Sequence, residues 1–258
     1  GFAKEESEAD EHRVGASTIS EFSINVQGVS LEMDGKNIID DVNFQVPAGG
    51  VVRLEGQSGQ GKTTMTRLMS GYYQPTEGEV RIGEQPLDSI KKTGPDSFYQ
   101  HVAYLSQHPY IFETGDVQAN LLFGNSGVSE KEVEIVLQEL GLEKRFLQQG
   151  KIDVHSSVQG LSGGERARLG LRRVLLKIRS QEHGSIVFLD QPTEELDAKT
   201  EADVARLLLV EKQQHPKTTI VLISHREEFI KALMHPKEGN GLEIQSVLFE
   251  QGKLLSKT

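Results

Sequence analysis

The chain has 258 residues, a formal net charge of −10 and no cysteine. That length builds a sizeable core, as one large domain with a subdomain or as two domains; the charge argues against broad nucleic-acid binding, and no nucleic-acid partner is expected; without cysteine there are no disulfides or thiolate metal sites. No apolar run approaches the roughly 20 residues of a membrane-spanning helix and the N-terminus is acidic, unlike a secretory signal, so the chain itself is expected to be soluble.

Residues 1–20, with the run Lys4-Glu5-Glu6-Ser7-Glu8-Ala9-Asp10-Glu11, are polar and without periodicity, which predicts an acidic flexible tail or linker ahead of a folded region over 21–258. Phe22 to Val46 alternates apolar and polar residues in short runs (Phe22 to Val26, Val29 to Met33, Val42 to Val46) separated by Gly28 and Asp34-Gly35. That pattern predicts an antiparallel sheet. Val51 to Leu54 then reads as a short buried strand, and Thr64 to Met69 as a helix. Between them lies Gly56-Gln57-Ser58-Gly59-Gln60-Gly61-Lys62-Thr63, which fits the P-loop pattern G-x-x-x-x-G-K-[ST] at every fixed position.

The chemistry of that pattern is specific to a nucleoside triphosphate. Glycines let successive backbone N–H groups converge on one phosphate tail, and the helix beginning near Gly61 turns its positive end towards the anion. Lys62 is expected to reach the β- and γ-phosphates, and Thr63 to offer its hydroxyl to Mg²⁺, with Thr64 next in the first helical turn.

Strands are expected at Glu79 to Ile82 and at Val102 to Leu105, the latter ending in Ser106-Gln107-His108-Pro109. From about 115 to 180 helical spacing takes over, with segments at Val117 to Leu122, Glu130 to Leu140 and Glu143 to Leu147, then Leu161-Ser162-Gly163-Gly164-Glu165 and a basic amphipathic helix from Arg166 to Ile178. Ile186 to Leu189 is a continuous apolar run, expected as a buried strand ending at Asp190, where a P-loop protein places the carboxylate that holds Mg²⁺ through water. A helix (Glu201 to Val210), a buried strand (Thr219 to Ile223), a short helix from Arg226 and a strand near Ser246 to Phe249 complete the chain.

Taken together, these motifs resemble the ATP-binding cassette (ABC) proteins. Leu161-Ser162-Gly163-Gly164-Glu165 resembles their LSGGQ signature, Gln107 falls in the Q-loop place, Asp190-Gln191-Pro192-Thr193 stands where Asp-Glu-Pro-Thr is usual, Glu195-Leu196-Asp197 is similar to the D-loop, and Ser224-His225 to the switch histidine. The resemblance implies an α/β P-loop NTPase core with a mostly parallel sheet, an N-terminal antiparallel β-subdomain and an α-helical subdomain at about 108–180. It implies an ATPase using ATP and Mg²⁺, with Thr63, Gln107 and Asp190 at the metal. It further implies pairing head to tail with a second nucleotide-binding domain, a homodimer with ATP, so that Ser162, Gly163, Gly164 and Asp197 of one copy close over the P-loop of the other. The stretch Pro109 to Gly124 looks like that of exporter-type transporters, which implies a transmembrane domain as partner and a place at the cytoplasmic face of a membrane; helical packing explains the stretch equally. A soluble, non-transport ABC ATPase and a nucleotide-switched dimerisation module are the alternatives.

Three residues depart from the family pattern. Gln191 stands where a glutamate usually acts as general base; an amide orients water but cannot accept its proton, so hydrolysis is expected to be severely slowed. The substitution is either introduced or natural. Met33 stands where an aromatic commonly stacks on adenine; it either covers the base with its sulfur or packs in the sheet. Glu165 replaces the signature's glutamine and is expected to point to solvent.

Overall fold

The computed structural model describes residue 19 and residues 21–93, 95–125, 128–139, 141–237 and 239–257. Ile19 is buried in the core; the rest of the expected acidic tail lies outside the described residues.

Two long antiparallel strands come first, β1 (Ile24–Met33) and β2 (Lys36–Val46). Asp34 and Gly35 turn the chain between them, with φ of 51° and 71°. Gly28, expected to separate two runs, lies inside β1 at a shift of register between Val26 and Val29. Its φ of 57° makes a bulge that carries the strand through instead of ending it. β3 (Val51–Glu55) runs into α1 (Lys62–Met69), and β4 (Glu77–Ile82) with the two-residue β5 (Gln85–Pro86) completes an antiparallel sheet of order β2-β1-β4-β5. Two short helices follow, α2 (Leu87–Thr93) and α3 (Pro95–Gln100). Among their described side chains only Leu87, Ile90 and Phe98 are buried apolar, too few to set a readable period.

After β6 (Val102–Leu105) come α4 (Val117–Leu122), α5 (Glu130–Glu139), the hairpin of β7 (Leu147–Gln148) and β8 (Lys151–Ile152), and α6 (Gly163–Arg179). The segment expected as a helix from Glu143 is a single 3₁₀ turn, Glu143–Phe146, because Leu147 already enters the hairpin. β9 (Ile186–Asp190), α7 (Ala198–Gln214), β10 (Thr219–Ile223), α8 (Glu227–Met234), β11 (Ile244–Glu250) and β12 (Lys253–Lys257) follow. The second sheet has the order β12-β11-β3-β10-β9-β6, parallel throughout except for β12 at its edge.

Both faces of this sheet are covered, which is why its central strands read as unbroken apolar runs. Val52, Leu54, Phe188 and Val221 pack with α1 and the antiparallel sheet on one face. Val51, Val187, Leu189 and Leu222 pack with α6, α7 and α8 on the other. A separate apolar cluster joins Val117, Leu121, Val133, Val136, Leu137 and Phe146 to Leu169 and Leu176 of α6, so α6 serves two cores. At Gly170 a Cβ would lie 2.7 Å from Pro109 and 2.8 Å from Leu105, so glycine there lets α6 rest directly on the segment leaving β6. The fold is thus an α/β sandwich of a mostly parallel sheet with an N-terminal antiparallel sheet.

Candidate functional site

The P-loop occupies the C-terminal end of β3, the end of a parallel sheet where ligands bind in such folds. Gly61 caps α1 in the left-handed conformation, φ 95°, and no side chain caps the helix. Its first-turn N–H groups therefore have no acceptor within the helix or from a capping side chain, as an anion site requires. That φ favours glycine, and a Cβ on Gly61 would also lie 2.8 Å from Ile39 Cδ1, where β2 leans over the loop. Lys62 is buried and donates to the carbonyls of Gly56 (2.6 Å) and Gln57 (2.7 Å), which curls Gly56, Gln57, Ser58, Gly59 and Gln60 around its ammonium group. Burial lowers its pKa, offset in part by Asp190. The amide oxygen of Gln60 accepts from the Gln251 N–H, tying the loop to the β11–β12 turn.

Asp190, buried at the end of β9, meets this loop directly. Its Oδ2 accepts from Thr63 Oγ1 at 2.8 Å, while Oδ1 is buried with no hydrogen-bond partner. Burial raises the Asp190 pKa, against the opposing pull of the Thr63 hydroxyl, Arg67 and Lys62. Thr64 follows in the first turn of α1, and Thr66 shares a 2.8 Å hydrogen bond with the Tyr104 hydroxyl, bracing α1 against β6.

Beyond Asp190 the chain turns sharply. Gln191 has φ 54°, its N–H donates to the carbonyl of Ile223, and its own carbonyl accepts from the Glu194 N–H. Gln107, on the segment after β6, donates from Nε2 to Glu194 Oε2 at 2.7 Å. Glu194 was not among the expected site residues, since no spacing rule links it to Gln107.

The signature residues Ser162, Gly163 and Gly164 form the start of α6. Glu165 does not simply point to solvent. It closes a capping box, accepting the Ser162 N–H on Oε2 at 2.8 Å while Ser162 Oγ accepts the Glu165 N–H at 3.3 Å. The S-x-x-E spacing that announces such a box is legible in the sequence. Burial alone would raise the Glu165 pKa, but the Ser162 hydrogen bonds and the nearby Arg145 and Arg168 hold it below the usual value. What lies against Gly163 and Gly164 is Glu195, with Leu196 beside Gly164, and not the chain's own P-loop. Asp197 caps α7, accepting from the N–H groups of Lys199 and Thr200, both at 3.0 Å.

His225 is exposed just after β10, and Met33 is 40 % exposed at the end of β1, paired with Lys36 across the hairpin. The residue next to His225 carries no motif that marks it in the sequence. Arg226 donates from Nη2 to the carbonyls of Thr193, Glu194 and Leu196, and its Nε stands 3.1 Å from Glu201, off the hydrogen-bond axis. It fastens the loop carrying His225 to the loop between Gln191 and Asp197. In the stretch Pro109 to Gly124, Asn120 is fully buried and brackets Phe112, its Oδ1 accepting the Phe112 N–H (2.8 Å) and its Nδ2 donating to the Phe112 carbonyl (3.1 Å).

The family model described as ABC transporter matches residues 39–194, from β2 through Glu194. The chain belongs to the ABC transporter family. Among the similar ABC proteins are the transport/processing ATP-binding protein ComA of Streptococcus pneumoniae, 32 % identical over 74 % of this chain and 25 % of that protein, and the lactococcin-A transport/processing ATP-binding protein LcnC of Lactococcus lactis, 30 % identical over 81 % and 28 %. The solved structure of a bacterial Atm1-family ABC exporter with ATP bound superposes with a TM-score of 0.74 at 26 % identity, covering 93 % of this chain and 39 % of that one. The chain thus spans 25–28 % of the length of these two curated ABC relatives. Among its described residues, no helix is long and apolar enough to cross a membrane.

Proposed function

We propose that this chain is the ATP-binding and ATP-hydrolysing domain of an ABC exporter, working at the cytoplasmic face of a membrane beside a transmembrane domain, with hydrolysis slowed by Gln191. The observation that carries the site is the Thr63–Asp190 contact at the mouth of the P-loop, with Asp190 Oδ1 buried and unpartnered. A buried carboxylate oxygen without a donor is the kind of group a cation or its water satisfies. The residues present therefore fit a hydrated Mg²⁺, held by Thr63, Gln107 and, through water, Asp190; when bound it would neutralise charge on the phosphates.

The chain's own groups supply the rest. Lys62 would exchange the carbonyls of Gly56 and Gln57 for phosphate oxygens, and the N–H groups from Gly59 to Thr64 would line the phosphate tail. Met33 would cover the base. Gln191 would orient the attacking water without accepting its proton, and His225 would meet the γ-phosphate. With Glu195 and Leu196 packed against Gly163 and Gly164, Ser162, Gly163, Gly164 and Asp197 would complete the site of a second copy, with ATP between them. Opening after hydrolysis is the motion a membrane partner would use.

Light scattering of this chain with and without Mg-ATP tests the reading: a persistent dimer with ATP is expected, and a monomer that binds no nucleotide would refute it. Gln191→Glu is expected to raise hydrolysis by about 10²- to 10⁴-fold. If it does not, the second reading, a module in which ATP only switches dimerisation, takes its place. That reading draws on Gln191 itself.

A further inference from the structure

The contact between Gln107 and Glu194 has a chemical consequence. A carboxylate accepts hydrogen bonds and does not donate them, so the end of the Gln107 amide facing Glu194 at 2.7 Å is its NH₂ group. Oε1 is then the end left over, the only atom of that side chain able to bind a cation. Glu194 is itself held in place. Its N–H donates to the Gln191 carbonyl (3.3 Å), its carbonyl accepts from Arg226 Nη2 (3.3 Å), and Leu196 N–H closes onto Thr193 (3.1 Å). The anchored turn sits directly after Asp190, the carboxylate joined to Thr63.

We infer that Glu194 is a positioning residue for the metal end of the site, which by holding Nε2 of Gln107 fixes the amide with Oε1 free for a divalent cation. The inference rests on the proposal that Gln107 and Asp190 hold Mg²⁺ with ATP. Outer partners of this kind set the orientation of a metal ligand, and their loss typically costs about 10- to 100-fold in metal affinity. The replacement of Glu194 by glutamine is instructive because a neutral amide offers Gln107 both a donor and an acceptor. The Gln107 amide is then free to turn over, with Nε2 towards the metal side.

The experiment is a Mn²⁺ titration of the nucleotide-bound chain, followed by electron paramagnetic resonance, alongside nucleotide affinity measured in EDTA. Glu194→Gln is expected to weaken Mn²⁺ binding by about 10-fold or more and to leave metal-free nucleotide affinity within about two-fold, and Glu194→Asp to recover part of the loss. In a Gln107→Ala background, Glu194→Gln is expected to add nothing further, since no amide remains to be oriented. Unchanged Mn²⁺ affinity in Glu194→Gln overturns the inference. So does an equal loss in the Gln107→Ala background, which would make Glu194 a plain charge. A parent chain that binds no nucleotide would instead overturn the functional reading beneath it, and the EDTA measurement tells the two failures apart.

Discussion

Asp190 concentrates the electrostatics of the site in one side chain. Its pKa is raised, chiefly by burial, so the folded state disfavours the carboxylate. The cost is present in full at pH above that raised value and is relieved as pH falls through it. A cation requires the carboxylate, so proton and metal compete, and Mn²⁺ affinity of the nucleotide-bound chain is expected to fall on acidification earlier than an ordinary aspartate would allow. Mn²⁺ titrations across pH check this, and Asp190→Asn should weaken binding and flatten the profile. Ser162 makes the contrasting case, since its role in the box is structural first. Its hydroxyl accepts the Glu165 N–H, so Ser162→Ala should destabilise the fold by about 1 kcal/mol in urea denaturation, before any effect on dimer formation with ATP. The Glu165 pKa is lowered by its partners in the box and by nearby arginines. The stability it contributes is therefore present above its unfolded pKa and is lost as pH falls through the folded one.

At the scale of elements, the loops after β9 and β10 act as one unit because Arg226 spans them. Arg226→Ala would free three carbonyls and leave Glu201, which is 6 % exposed, without its ion pair. A loss of about 1–3 kcal/mol is expected by chemical denaturation. Arg226→Lys should keep part of it, because an ammonium pairs with Glu201 but lacks the planar fork that reaches several carbonyls. None of this linkage was legible in the sequence, where Arg226 is only the residue after a histidine. What was legible is what a contiguous run of residues encodes. The P-loop follows from glycine spacing, and β9 with Asp190 from an unbroken apolar run. The strand ends elsewhere also held to within a few residues. Pairings between segments far apart in the chain leave no such trace: Gln107 with Glu194, Arg226 with Glu201, and Arg173 with the carbonyls of Tyr110 and Asn120. Gly28 misled for a related reason, since a glycine at positive φ serves a bulge as well as a turn. β12 and the pair α2 and α3 lack a periodic apolar face, so they emerge only from packing against their neighbours.

At the scale of the whole molecule, a cleft of about 890 Å³ runs beside β6 and α6, lined by Arg67, Tyr72, Tyr99, Tyr110, Phe123 and Arg173. Three of its aromatic side chains are open to solvent: Tyr72 is 74 % exposed, Tyr110 70 % and Phe123 59 %. They are nevertheless held in place. Phe112 sits edge-on to both Tyr110 and Phe123, and Arg173 lies over the Phe123 ring at 5.7 Å. Ordered, solvent-facing aromatics beside a cation are the composition of a protein interface. The same segment passes from Gln107 through Asn120, so one stretch of chain joins the cleft to the amide that meets Glu194. A membrane partner seated here would feel the state of the nucleotide through a single connected stretch of chain. Replacing Tyr110 and Phe123 together by serine should therefore leave the isolated chain's ATP affinity within about two-fold, since neither ring touches the P-loop and exposed side chains contribute little to the fold. In the proposed transporter, assayed with Gln191→Glu in place so that hydrolysis can be followed, the same pair should lower transport and its stimulation of ATP hydrolysis by an order of magnitude or more, as loss of paired interface aromatics does. Transport at the parent rate with both rings gone would place the membrane contact on another face. It would also remove the cleft from the path between nucleotide and substrate.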